Sequence, residues 1–144
     1  MRPQADRGNV FALVLATILG CGDLCAPEAV AHYAGLLREG GYGRMPYERG
    51  AFLIRERGGA ISLQPWESFA FQRATFRGGV PAGTFAIVHT HPLQSRQPSA
   101  GDRATAASSG LPVLVITPDG VTGAWPDGSV QRLITQWGWW RSAR

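Results

Sequence analysis

The chain reads as one α+β domain, and three observations predict it. Its 144 residues are enough for about one ordinary domain with a single core. Two helix-periodic segments are separated and followed by short β-rich runs punctuated by turn residues. Hydrophobic residues make up 44% and charged residues 17%, with 19 Gly and 10 Pro, a composition that suits a compact, turn-rich fold and not a disordered one.

The elements follow in order. "APEAVAHYAGLLREGG" predicts a helix opened by Pro27 near its first turn and closed at Gly40 and Gly41. Its apolar positions Ala29, Val30, Tyr33, Leu36 and Leu37 share one face. "GAFLIRERGGAISLQPW" predicts a hairpin, two β-rich runs joined at "RGG". "TFAIVHTHP" predicts a strand that stops at Pro92, because proline cannot donate to a sheet ladder. "PSAGDRATAASSG" predicts a helix with Ser99 as N-cap, Asp102 in the first turn and Gly110 as its stop. "LPVLVIT" is a continuous apolar strand, after which the turns "TPDG" and "WPDG" separate further short strands. The predicted element order is α-β-β-β-α-β-β. No internal repeat or low-complexity tract interrupts it.

Net charge is +4, and all 14 basic residues are Arg, scattered along the chain. That scatter lacks the basic block of a nucleic-acid or membrane-surface binder, so no nucleic-acid partner is expected. His32 lies within the first helix and reads as a surface histidine. "QWGWW" near the C-terminus reads as a cover over one end of the core.

Residues 1–21 form a separate question from residues 22–144, the expected domain. Arg2 and Arg7 precede an apolar run at residues 10–19, too short to span a bilayer but matching the core of an export signal. "ILGC" resembles a lipoprotein cleavage box, which would make Cys21 a lipid anchor and the chain an extracytoplasmic lipoprotein. The alternative is a buried first helix of a cytosolic domain. Cys21 and Cys25 are the only cysteines, so they cannot supply a four-ligand structural zinc site. No disulfide framework is expected: Cys25 stands single after export, or both are reduced thiols in the cytosol.

The chemistry concentrates in "HTHPLQSRQPSAGD". His89 and His91, two residues apart on a strand, project from one face. Asp102 stands at the start of the next helix, after a gap that lets the chain turn back. Two histidines and a carboxylate leave a fourth tetrahedral position open, the feature that separates catalytic from structural zinc sites. A water in that position still needs a base to take its proton. Glu48, in "MPYERGAFLI" at the entrance of the hairpin's first strand, is the candidate. Glu56 in the hairpin turn and Glu67 in a loop compete for the role. The Ser99 to Asp102 spacing is equally that of a capping box.

A Glu, then His-x-His, seven residues, Ser, two residues and Asp resembles the JAMM motif of MPN-plus (Mov34-type) metalloproteases, in their small bacterial form. The resemblance covers roughly residues 28–135 and implies a mixed central sheet flanked by helices. It further implies one zinc ion per chain bound by His89, His91 and Asp102, Glu48 as general acid and base, and Ser99 as a hydrogen-bond donor to the water or the tetrahedral oxyanion. The implied activity is deubiquitinase-like hydrolysis of an amide bond, with a ubiquitin-like protein or an extended peptide as partner, in a bacterial conjugation or phage-defence system. Three alternatives stand beside it: an extracytoplasmic metallopeptidase, a hydrolase of another amide, and a non-catalytic MPN-type binding module. The sequence leaves the oligomeric state open.

Overall fold

The apolar alternation in the two longest β-rich runs becomes the middle of a six-stranded sheet. The computed structural model describes residues 21–44, 48–66, 79–92 and 95–143. The leader-like run of residues 10–19 and Glu67 lie outside the described residues. After a 3₁₀ turn at Gly22–Cys25 come helix α1 (Pro27–Glu39), strands β1 (Gly50–Arg55), β2 (Ile61–Pro65) and β3 (Thr84–Thr90), helix α2 (Ala100–Ser109), and strands β4 (Val113–Thr117), β5 (Gly120–Ala124) and β6 (Val130–Ile134). The order in the sheet is β2-β1-β3-β4-β5-β6. Only β3 and β4 run parallel; the remaining neighbours are antiparallel. The fold is therefore α+β with a mixed sheet, as expected, and it carries one strand more than the predicted order. β6, foreseen only as one of the short strands beyond the turns, fell out of that order because its first half, Val130 and Gln131, is exposed, so its alternation carries little hydrophobic signal.

The two faces of the sheet bury different clusters. Alternation along β3 sends Ala86 and Val88 to one face, where Tyr33, Leu36 and Leu37 of α1 cover them together with Leu53, Leu114 and Ile116. Ile87 points to the other face, with Phe52, Ile54, Val113 and Ala106 of α2. Ala106 is the one buried residue of α2. Among the described residues, α2 gives this face one buried side chain, and the crossover from β3 to its parallel neighbour begins at its carboxyl end.

Helix α1 also closes the edge of the sheet. Glu28 and His32, one helical turn apart, take both backbone polar groups of Ile61 in edge strand β2: Glu28 Oε1 accepts from Ile61 N–H at 3.1 Å, and His32 Nε2–H donates to Ile61 O at 2.9 Å. His32 is thus a half-buried tie and not a surface residue; this corrects the expectation, which considered the helix alone. Replacing Glu28 with Ala leaves the N–H of a buried residue without its acceptor and is expected to cost about 1–2 kcal/mol. Urea denaturation measures this, and an unchanged midpoint would mean that water replaces the carboxylate.

The cysteines need a second correction. Cys21 and Cys25 are joined in a disulfide, with a Cα–Cα distance of 5.6 Å. The expectation of a single Cys25 or of two free thiols weighed compartments and not the 3₁₀ turn, which brings the two residues within bonding range. The tryptophans behave as a partial cover: Trp139 is buried and donates its indole N–H to Thr117 O at 2.8 Å, whereas Trp137 is 55% exposed.

Candidate metal centre

Strand period, register and a helix cap converge on one point. β3 ends at Thr90, yet His91 N–H still donates to Ile116 O at 3.1 Å, so the ladder with β4 runs one residue further. Both imidazoles therefore face the same side, their ring centroids 4.7 Å apart. The pairing Gly50↔His89 fixes Glu48 two residues back from Gly50, opposite His91. Thr90 locks that register from the other face: Arg49 N–H donates to its hydroxyl at 2.9 Å and Thr90 N–H donates to Arg49 O at 2.8 Å.

The cap supplies the fourth group. Asp102 N–H donates to Ser99 Oγ at 3.1 Å, and Ser99 N–H donates to Asp102 Oδ2 at 2.7 Å. This reciprocal box aims the carboxylate. Asp102 Oδ1 then lies 3.0 Å from His89 Nε2, and Oδ2 lies 3.4 Å from His91 Nε2. The two Nε2 atoms are 3.0 Å apart, and Glu48 Oε1 stands 3.7 Å from His91 Nε2. His89 and His91 are 4% and 5% exposed. All of the sequence-predicted site residues are thus brought together, with Ser99 at the exposed rim. Glu56 is exposed in the hairpin turn, accepting a hydrogen bond from Ser62.

The donor set fits a metal ion. Two ligand atoms of a tetrahedral zinc site stand about 3.3–3.4 Å apart when each bond is about 2.0–2.1 Å, and the separations here run from 3.0 to 3.7 Å. Glu48, His89 and His91 each offer a ligand atom within 4.8 Å of the others, so they form a group able to hold a metal ion. His91 Nδ1 lies 2.9 Å from Ser95 O. That bond makes Nδ1 the protonated nitrogen and turns the other nitrogen toward the centre, the usual support of a metal-binding histidine.

Charge in the site follows from burial and neighbours. Burial pushes His89 down to about 4, against the pull of Asp102, and the nearby His91 pushes the same way as burial. Burial also opposes protonation of His91, but the hydrogen bond with Asp102, the charges of Glu48 and Asp102, and the Ser95 carbonyl together raise it above its ordinary value. Burial likewise opposes ionisation of Asp102, and the two histidines with the Ser99 backbone overcome it, so the carboxyl is held below its usual range. In the metal-free pocket these neighbours favour the protonated form of His91, whose Nε2 faces the place where a cation would sit. A metal must displace that proton. Affinity is therefore expected to fall as pH drops, because a proton on His91 competes with the metal, while His89 adds its own competition only near pH 4. Competition titrations at three pH values measure the slope, and a flat profile would exclude His91 as a ligand.

Two supporting residues escaped the sequence reading. Thr90 acts through a buried hydroxyl, and its only signal is a small β-branched polar residue alternating with two histidines. Ser95 acts through its main-chain carbonyl, for which no side-chain signal exists.

The architecture defines a class: an α+β domain with a group of residues able to hold a metal ion at the carboxyl end of a parallel strand. Residues 33–132 match the family described as prokaryotic homologs of the JAB domain, and the chain belongs to that family. No curated protein and no solved structure gives a significant match. Family and site together fit a metallohydrolase of JAMM type.

Proposed function

We propose that the protein is a zinc-dependent peptidase or isopeptidase that hydrolyses an amide bond at the C-terminal tail of a ubiquitin-like protein. The observation that carries this reading is the convergence of His89, His91 and Asp102 on one point, with Glu48 beside it. Held by those three residues, zinc would supply the Lewis acidity that polarises the scissile carbonyl and acidifies water. Asp102 contributes a carboxylate already fixed by its cap, and its depressed pKa keeps it ionised. Glu48 has the longest separation from His91 of the two acids, which supports its use as the base: it takes the proton from water and passes it to the leaving amine. Ser99 Oγ already accepts from Asp102 N–H; its own hydrogen remains to donate toward developing negative charge.

Purified protein is tested for zinc content and then against ubiquitin-like fusions and small amides. Cleavage of a fusion at the tail supports the reading. Zinc with cleavage of small amides alone favours the hydrolase of another bond, and a chain that binds no zinc favours the binding module.

The Cys21–Cys25 disulfide supports a second reading, an extracytoplasmic metallopeptidase acting on a secreted protein or peptide, since such bonds persist in oxidising compartments. The lipid-anchor proposal at Cys21 draws on the same sulfur, so disulfide and thioether exclude each other. Mass spectrometry of chain isolated with its thiols blocked decides between them.

A further inference from the structure

The Ser95 carbonyl orients His91, and the structure shows what orients Ser95. Its N–H donates to Pro92 O at 3.0 Å, which makes a local turn and reaches no further. The next residue, Arg96, crosses to the sheet: its Nε lies 2.5 Å from Asp119 Oδ2. Asp119 sits in the β4–β5 turn, and that turn is built into the body of the protein. Arg132 of β6 donates through Nη2 to Asp119 O at 3.1 Å. Gly138 N–H donates to Pro118 O at 3.2 Å, and Trp139 donates to Thr117 O at 2.8 Å. At Gly120 a Cβ would meet Ile134 O at 1.9 Å, so the backbone of the turn lies directly against β6.

From this chain of contacts we propose that Asp119 and Arg96 are positioning residues for the metal centre. They hold the site loop against the β4–β5 turn so that the Ser95 carbonyl fixes both the tautomer and the direction of the His91 ring. The inference rests on the reading of His91 as a metal ligand. It assigns a task to an ion pair that stability alone does not require. Arg96 has a side chain 60% exposed and Asp119 one 19% exposed, and such pairs contribute little to folding. Partners that orient a ligating histidine typically control metal affinity by about 10- to 100-fold. A pair acting one step further out is expected at the lower end.

The test uses Arg96→Ala, Arg96→Lys and Asp119→Ala in the full chain. Zinc affinity by chelator competition is expected to fall about tenfold in both alanine variants and to stay within about threefold of the parent in Arg96→Lys, which retains the cation. Thermal midpoints of the metal-free proteins are expected to stay close to the parent, since the Arg96 partner of the pair is mostly in water and screened. A second readout needs no metal: the His91 Nδ1–H resonance, protected by Ser95 in the parent, is expected to exchange faster in both alanine variants. Parental zinc affinity together with a parental ring-proton signal in Arg96→Ala and Asp119→Ala would overturn the positioning role alone. A parent chain that binds no zinc would overturn the metal reading, and this inference with it.

Discussion

His89→Ala is expected to weaken metal binding by roughly two orders of magnitude and to abolish hydrolysis while leaving a folded protein. The residue is buried, 3.0 Å from both Asp102 Oδ1 and His91 Nε2, so its loss leaves two of the three proposed ligands. Zinc bound by four protein ligands is worth about 10–16 kcal/mol in small domains. One ligand then accounts for about 3 kcal/mol, a loss of roughly two orders of magnitude in affinity. Equilibrium dialysis against zinc measures it, and full retention would remove His89 from the ligand set. The substitution has a second signature in acid. Because burial depresses His89 to about 4, the unfolded chain binds a proton there more readily than the folded one. The parent therefore loses stability as pH falls from about 6.5 toward 4. The alanine variant lacks that contribution, and its metal-free midpoint should decline less over the same interval.

The site was legible where its geometry is local. Two histidines at strand spacing need only the two-residue period of a β-strand to share a face, and Ser99 with Asp102 needs only the first turn of a helix to form a reciprocal cap. Glu48 is different. Its place at the entrance of the hairpin's first strand made it a candidate beside Glu56 and Glu67, but its position beside His91 depends on the register Gly50↔His89, a long-range pairing that no single strand announces; the family pattern agreed with the choice. Ser95, Asp119 and Arg96 lay beyond reach for a related reason. One acts through its main chain, and the other two meet across 23 residues in a contact that only the sheet order brings about.

The fold divides along the same line. Helix α1 carried its own start, stop and apolar face, and its limits Pro27–Glu39 agree with the reading. Ties that side chains make did not show: His32 to Ile61 across the fold, and Cys21 to Cys25 within one turn. Strand β6 was foreseen only as one of the short strands beyond the turns and was missing from the element order, because an exposed edge relaxes the pattern that reveals a strand. Sequence periodicity reports which face of an element is buried, and it is silent about what a polar side chain meets there.

Glu48→Gln is the substitution expected to separate chemistry from metal binding. Glutamine keeps the length and a carbonyl oxygen of the side chain but cannot accept a proton at neutral pH. Glu48 Oε1 is 3.7 Å from His91 Nε2, whereas Asp102 approaches the two histidines to 3.0 and 3.4 Å. If the aspartate completes the metal set and the glutamate acts beside it, zinc stays bound in Glu48→Gln while cleavage falls by about 10²- to 10⁴-fold, the range of general acid–base catalysis. Asp102→Ala should behave otherwise: it loses a ligand and also the capping box, which adds a stability cost of about 1 kcal/mol. Glu56→Gln is the control, because its carboxylate is exposed and bonded to Ser62, and parental activity is expected. Glu48, His89 and His91 themselves form a group that can hold a metal, so the opposite result has a definite meaning. Loss of zinc in Glu48→Gln with zinc retained in Asp102→Ala would exchange the two carboxylates, making Glu48 the ligand and leaving Asp102 as the base.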